Sequence, residues 1–303
     1  MDRLKRLIPI DEEPAQAGPK TLPAPFSAMP SVKTRYKLLI SDLDNTLLDE
    51  EKKACETDLK AINRLVEAGF IFTFATGRGP GATARLYREL GANAPAIIFN
   101  GARIVDFAKG GKVIFSKVME RGSAIRALEY AEELNTTVMA FEGENCMAAS
   151  HDKWVDFYER STSASCLVVG DLVKYVSSLP SGMELTKLIF FSDPSERDRI
   201  IEKLQDNFQE FTSVATTPCY SEMLPLGVSK GFALTKLAKY LGLEMGEIVA
   251  VGDAPNDIEM MEVAGLGAAV MNADDIVKAS ADIIVGPGGQ GGIAELISIA
   301  FGI

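Results

Sequence analysis

The chain has 303 residues, 47% of them hydrophobic and 24% charged, with a formal net charge of −11. That length supports one large or two moderate cores. The acidity argues against nucleic acid or an anionic membrane as a partner, and no run is long and apolar enough to span a bilayer. An anionic ligand would meet overall repulsion, so binding one requires a local positive focus.

Residues 1–33 stand apart. Proline recurs at 9, 14, 19, 23, 25 and 30 without apolar periodicity, no signal-peptide core is present, and Asp11-Glu12-Glu13 argues against a transit peptide. The segment reads as a flexible leader, with Met29 a candidate start and a partner-binding tail the alternative reading. From residue 36 strands and helices alternate. A strand over 37–42 leads to a helix from Asp58 to Ala68, capped by Thr57 and stopped by Gly69, with Leu59, Ile62, Leu65 and Val66 as its apolar face. A strand over 70–75, a helix over 80–90 and a strand over 96–99 follow. Successive strand–helix–strand units imply a parallel sheet with right-handed crossovers.

The middle of the chain changes character. Lys109-Gly110-Gly111 between two apolar runs predicts a hairpin. Helices near 122–134, 152–160 and 195–206 are then interspersed with strands near 137–149, 185–192, 211–216 and 219–224, the composition of a separate α+β unit. The alternating pattern returns with a helix over 230–241, a strand over 248–252, a helix over 256–264, strands over 266–270 and 282–285, and a helix over 292–301. The glycine cluster 286–292 before that helix reads as a flexible loop, with an anion nest the alternative. The four cysteines (55, 146, 166 and 219) have no metal spacing and read as reduced thiols in the cytoplasm. The single histidine, His151, cannot form a triad or a zinc site.

Four fragments carry chemistry. In Ser41-Asp42-Leu43-Asp44-Asn45-Thr46 a buried-type strand runs into two carboxylates spaced by two, which the strand period sends to the same side of the sheet. Two anions so close repel unless a cation or a proton lies between them, so the pair reads as a nucleophile and an acid/base around a hard divalent ion. A capped strand end is the bland alternative. A calcium loop fails, because its sixth and twelfth positions are Leu47 and Lys53. Thr76-Gly77-Arg78 ends the second strand with a hydroxyl, a free backbone and a cation suited to phosphate oxygens. Gly227-Val228-Ser229-Lys230-Gly231 brings a point charge to a helix start. Gly252-Asp253-Ala254-Pro255-Asn256-Asp257 ends a further strand in a carboxylate and a tight turn. Asp42, Thr76 and Asp253 all fall at strand ends, which the topology places on one edge of the sheet, where open α/β sheets bind ligands.

The four fragments, in this order, resemble the haloacid dehalogenase superfamily of phosphohydrolases, and Asn100-Gly101-Ala102 and Met271-Asn272-Ala273 fit its Cof-type branch (subclass IIB). The resemblance spans residues 36–303. It implies an α/β fold in which a Rossmann-like, doubly wound parallel-sheet core, 34–118 and 218–303, carries an inserted α+β cap, 119–217. It also implies a Mg²⁺-dependent phosphomonoesterase of small phosphorylated metabolites, either sugar phosphates or cofactor phosphates. Asp42 would attack phosphorus, and Asp44 would protonate the leaving oxygen and then activate water. Thr76 and Lys230 would hold the transferring phosphoryl group, with Asn45, Gly77, Arg78, Asn100, Gly101 and Asn256 around the substrate and Asn256 orienting the metal-site carboxylates. Mg²⁺ would be held by Asp42, Asp44 through its carbonyl, Asp253, and Asp257 directly or through water. Asn45 stands where the family commonly has glycine. The cap would set specificity, with Glu142, Cys146, His151, Trp154 and Tyr158 as candidates. A phosphomutase is the alternative on the same fold, and a phosphate-ligand sensor a third. Gly77-Arg78-Gly79-Pro80-Gly81-Ala82 also matches a dinucleotide fingerprint, but the next strand ends in Asn100 where an acidic residue should meet the ribose. A nicotinamide-dependent oxidoreductase would also leave the four aspartates without a task.

Overall fold

The computed structural model describes residues 34–303 apart from 144 and 163; the segment read as a leader lies outside the described residues. In chain order the elements are β1 (Leu38–Ser41), α1 (Glu56–Glu67), β2 (Ile71–Phe74), α2 (Pro80–Glu89), β3 (Ala96–Ile98), β4 (Arg103–Asp106) and β5 (Lys112–Ser116). Then come α3 (Arg121–Glu133), β6 (Val138–Glu142), β7 (Asn145–Ala148), α4 (Lys153–Thr162), β8 (Cys166–Val168), α5 (Leu172–Ser177), β9 (Lys187–Phe191), α6 (Arg197–Asn207), β10 (Phe211–Thr217) and β11 (Tyr220–Pro225). The chain closes with α7 (Lys230–Leu241), β12 (Ile248–Gly252), α8 (Ile258–Val263), β13 (Leu266–Val270), α9 (Asp275–Ser280), β14 (Ile283–Val285) and α10 (Gly292–Phe301).

Five parallel strands form the first sheet in the order β14-β13-β12-β1-β2. Every residue of β1, β2 and β12 is buried, as expected for strands covered on both faces, and their continuous apolar runs follow from that. The chain winds outward from β1 to β2, then returns and winds the other way through β12, β13 and β14. The reversal leaves a crevice at the carboxyl ends of β1 and β12. The expected strand over 96–99 is not a full member of this sheet. β3 meets it through a single parallel bridge, Ala75 with Ile97, and pairs antiparallel with β4. Backbone turns at Phe99 and Asn100, both with φ of 52°, fold the chain straight into that hairpin.

A second sheet has the order β10-β11-β9-β6-β7-β8. Alternation along its strands separates two faces. Ala140, Leu188, Phe190 and Met223 pack with α3, α5 and α6, while Met139, Phe141, Ile189, Phe191 and Leu224 pack with α4 and with Phe99, Ala102 and Val105 of the hairpin region. The cap therefore sits on the core through one face of its sheet. The expected boundary at residue 218 falls inside this sheet, because β11 bonds to both β10 and β9 and the ladder continues to Pro225.

Three local expectations change. Helix α1 starts at Glu56 after extended Cys55, with no side-chain cap from Thr57, although Gly69 (φ 92°) follows its end as expected. The carboxylate of Asp58 turns away and accepts the Gly291 and Ala294 amides at 3.2 and 2.7 Å, so it caps α10 instead. Cys146 and Cys166 are directly opposed on β7 and β8 and joined by a disulfide, Cα atoms 4.7 Å apart, whereas reduced thiols were expected; Cys55 and Cys219 are free. Strand β8 and helices α5 and α9 were not foreseen, being short and weakly periodic. No helix among the described residues is long and apolar enough to cross a membrane.

Candidate active site

Register builds the site. Ser41 pairs with Val251 and Phe74, and the Asp42 amide donates to the Val251 carbonyl at 2.9 Å while the Ala75 amide donates to that of Ser41 at 2.9 Å. Asp42, Asp253 and Thr76 consequently emerge from adjacent strands at one level, in the crevice left by the winding reversal. Carboxylate oxygens of Asp42, Asp253 and Asp257 come within 4.8 Å of one another. Lys230, buried at the start of α7, donates to Asp42 Oδ1 at 2.5 Å and to Asp257 Oδ1 at 2.6 Å. The Ser229 hydroxyl caps that helix by accepting the Phe232 amide at 2.9 Å. Gly101 (φ 102°) lies so close that an added Cβ would stand 2.1 Å from the Ser229 carbonyl oxygen. Its place is therefore behind the site, seating the start of α7, rather than against a substrate.

Asp257 is completely buried and fully engaged, since Oδ2 accepts the amides of Asp253 and Ala254 at 3.1 and 3.2 Å. An added Cβ on Gly252 would stand 2.3 Å from Asp257 Cβ, so the glycine lets the carboxylate close over the turn. Asp253 Oδ1 accepts the Thr46 hydroxyl at 2.8 Å, which gives the motif threonine its task. Asn45 holds the left-handed conformation (φ 61°), which asparagine tolerates better than most residues, so it can stand in for glycine. The glycine cluster 286–292 is neither a loose loop nor an anion nest. Gly289 donates to the Thr46 carbonyl at 3.1 Å, Gly288 to Asn272 Oδ1 at 2.6 Å, and Asn272 Nδ2 to the Asn45 carbonyl at 2.8 Å, so the cluster buttresses the first motif.

The electrostatics divide the two motif aspartates in the direction opposite to their expected protonation. Burial raises the pKa of Asp42 well above the ordinary carboxylate range; Lys230 opposes this, and Asp257 and Asp253 reinforce it. Burial also acts on Asp44, but Arg78 and Lys52 outweigh it and pull it down to about 2. Arg78 grips Asp44 through both Nε (2.8 Å) and Nη2 (2.6 Å), and Lys52 Nζ adds a third contact at 2.8 Å. Asp253 is pushed up to about 6 by burial and then by Asp257, with the Thr46 hydroxyl working against them. Lys230 is buried, yet Asp257 and Asp42 hold it firmly protonated. The converging carboxylates of Asp42, Asp253 and Asp257 form an oxygen donor set that a hard divalent cation suits, with the Lys230 ammonium beside it.

A cavity of about 310 Å³ opens between this edge and the cap. Asp42, Asp44, Asn45, Thr76, Gly77, Arg78, Asn100, Lys230, Asp253 and Asn256 line it; Gly101 and Asp257 stand behind its wall. Asn256 Nδ2 donates to Asn100 Oδ1 at 3.0 Å, reaching the neighbouring loop rather than a metal-site carboxylate. Of the cap candidates, Tyr158 lines the cavity. Cys146 is in the disulfide, Trp154 stacks on Phe191 with centroids 5.7 Å apart, and exposed His151 faces Asp156 and Glu159 at 3.5 and 3.3 Å. Glu142 pairs with Asn145 at 3.0 Å. The cap wall instead includes Lys187, Glu222, Phe157 and Tyr220, and Lys52 joins from the core. Lys187 and Glu222 did leave a signal in the sequence, each being the one charged residue of its strand, Lys187 just ahead of the apolar run 188–191 and Glu222 next to Met223-Leu224.

The model of one family, described as haloacid dehalogenase-like hydrolase, matches residues 39–297. This chain belongs to the haloacid dehalogenase-like hydrolases. Among relatives in that family is the 5-amino-6-(5-phospho-D-ribitylamino)uracil phosphatase YwtE of Bacillus subtilis, 28% identical over 280 residues that cover 86% of this chain and 96% of the relative. The pyridoxal phosphate phosphatase YbhA of Escherichia coli is 28% identical over 278 residues, covering 86% and 97%. The solved structure of the subclass IIB sugar phosphatase BT4131 superposes with a TM-score of 0.75 at 19% identity, covering 87% of this chain and 98% of that one, and shows the shared fold. The chain is a Cof-type phosphatase of the haloacid dehalogenase superfamily.

Proposed function

We propose that this phosphatase is a Mg²⁺-dependent phosphomonoesterase that hydrolyses a small phosphorylated metabolite through an aspartyl-phosphate on Asp42. The observation that carries the reading is the convergence of Asp42, Asp253 and Asp257 with Lys230 at one sheet edge, beneath a cavity roofed by the cap. Asp42 and Asp253 would hold Mg²⁺, with the Asp44 carbonyl, and Asp257 would act behind them through its bonds to Lys230 and the Asp253 amide. The ion would neutralise charge on the phosphoryl oxygens and keep Asp42 ionised.

Asp42 supplies the nucleophilic oxygen. Lys230, Thr76 and the amides beyond it offer positive charge and hydrogen bonds to the phosphoryl oxygens, where charge concentrates in the transition state. Asp44 as found is ionised, the form that takes a proton from attacking water in the second half-reaction. For the first half-reaction it must be protonated, and its grip on Arg78 opposes this. A phosphate dianion at the cavity offers Arg78 a competing bidentate partner, and release of Asp44 lets its pKa return toward the ordinary range. Cap closure over the site excludes bulk water from the intermediate.

The substrate class follows from size and wall. A cavity of about 310 Å³ bounded by Phe157, Tyr158 and Tyr220 takes a single sugar phosphate or a phosphorylated cofactor ring. Phosphate release from a panel of both kinds, with Mg²⁺ and with chelator, tests the reading. Metal-dependent release that Asp42→Asn abolishes is expected. Transfer of phosphate within the substrate without free phosphate would move the assignment to a mutase.

A further inference from the structure

Lys187 and Glu222 are each only 2% exposed, and both come from the cap sheet. Strand parity places Lys187 with Ile189 and Phe191, and Glu222 with Leu224, on the face that meets the core. Lys187 Nζ donates to Glu222 Oε1 at 2.8 Å and, across the boundary, to the Gly77 carbonyl at 3.1 Å. It also lies over the rings of Phe141 and Phe99, 4.9 and 5.4 Å from their centroids. Glu222 Oε2 accepts the Asn100 Nδ2 hydrogen at 2.9 Å, which turns Asn100 Oδ1 to Asn256 Nδ2 at 3.0 Å. A buried ion pair is a poor source of net stability compared with apolar packing. What this one does is hold two core loops at once.

Those loops are the ones that present phosphate-binding groups, and they are zipped together. The Asn100 amide donates to the Thr76 carbonyl at 2.9 Å and the Phe99 amide to that of Arg78 at 3.1 Å. With Lys187 on Gly77, all three successive carbonyls of Thr76-Gly77-Arg78 are fixed, so the Gly77 and Arg78 peptide N–H groups, antiparallel to the Thr76 and Gly77 carbonyls, are fixed too. The second loop is strained. Phe99 and Asn100 (both φ 52°) and Gly101 (φ 102°) are consecutive left-handed residues, and a bulky aromatic in that region persists only where its surroundings hold it.

We propose that Lys187 and Glu222 are positioning residues through which the docked cap sets the geometry of the phosphate-holding loops, Thr76–Arg78 and Phe99–Gly101. The inference rests on the phosphatase reading for its kinetic consequence but not for its structural one. When the cap lifts, the Gly77 carbonyl loses Lys187 and Asn100 Nδ2 loses Glu222, so the cradle is fully fixed only in the closed state.

The test uses the full chain and three variants: Glu222→Gln, Lys187→Met, and the double variant Lys187→Met with Glu222→Leu. Amide hydrogen exchange is measured without substrate, and hydrolysis of a chromogenic phosphate ester with Mg²⁺. Exchange at residues 76–79 and 99–101 should accelerate about tenfold or more in all three variants, while β12 and α3 stay as in the parent. Turnover should fall about tenfold to a hundredfold in kcat with a smaller change in KM, the cost of misplaced transition-state donors. The double variant, which leaves no unpaired buried charge, should recover thermal stability but not kcat. Recovery of kcat together with stability, or loop exchange unchanged while the cap sheet loosens, would overturn the proposal and leave the pair a packing feature. If the parent releases no phosphate from any ester, the phosphatase reading fails, and loop exchange alone still decides the clasp.

Discussion

Two lysines of this protein, one in the core and one in the cap, do similar electrostatic work in different ways. Lys230 is 1% exposed and bridges Asp42 and Asp257; Lys187 is 2% exposed and pairs with Glu222. Lys230 stands at the N-terminus of a helix, where the macrodipole disfavours a cation, and it remains because two carboxylates surround it. Lys187 opens strand β9 among Phe99, Phe141 and the cap's apolar face. The core lysine pairs directly with two carboxylates of the candidate site. The cap lysine serves backbone, and so acts at one remove. Under the proposals made above, buried charge in this fold marks two tasks, chemistry at the sheet edge and docking of the cap above it.

Mutation separates the two regions most sharply at the nucleophile. Asp42→Asn should lower phosphate release by about four orders of magnitude or more while the circular dichroism spectrum is kept, because no neighbour can replace an attacking oxygen. Residual turnover near the parent rate would remove Asp42 from the mechanism. Chelation of divalent metal should stop turnover to a similar extent and be reversed by added Mg²⁺. Lys230→Met leaves Asp42 and Asp257 facing each other and should cost on the order of 3 kcal/mol in urea unfolding as well as activity. Unlike the cap pair, it has no neutral double variant that keeps the nucleophile, so a stable, active Lys230→Met protein would erase the contrast drawn here.

Helix caps extend the comparison to smaller effects. In the core, buried Asp58 caps α10 from a different helix, and Asp58→Ala should destabilise by about 2 kcal/mol in urea unfolding. In the cap, Asp152 accepts the Trp154 and Val155 amides at 2.9 and 3.0 Å and the Thr137 hydroxyl at 2.6 Å. Burial raises its pKa, but those hydrogen bonds prevail and lower it below its ordinary value. A depressed carboxylate stabilises the fold above its unfolded pKa and loses that contribution as pH falls through the folded value. The side chain is partly exposed, so Asp152→Ala should cost about 1 kcal/mol at neutral pH. The gap to the parent should begin to narrow as pH falls below about 4 and close once pH has passed through the lowered folded value and Asp152 is protonated. Thermal unfolding followed from pH 7 to pH 3 checks this, and a gap that widens in acid would contradict the assignment.

What could be read from the chain alone was local or periodic. Buried parallel strands announce themselves as continuous apolar runs, so β12, β13, α7 and α10 fell where expected, and the strand ends located Asp42, Thr76 and Asp253 on one edge. The ordered motifs supplied the family, because chemistry constrains residue type at each strand end. Position in sequence could not report which partner a side chain meets across space. Asp58 caps a helix whose amides lie more than 230 residues away, Gly101 faces Ser229 rather than a substrate, and Arg78 grips Asp44. β8 and α9 were missed because three to six residues carry too little periodicity. The disulfide required the register of β7 against β8, which spacing does not determine. The clasp between Lys187, Glu222 and Asn100 spans three segments brought together by sheet pairing and by the seating of the cap on the core. Sequence thus determined which groups the protein has for its chemistry; tertiary packing decided which are ionised, which are held, and what holds them, because desolvation and hydrogen bonding are properties of the assembled neighbourhood.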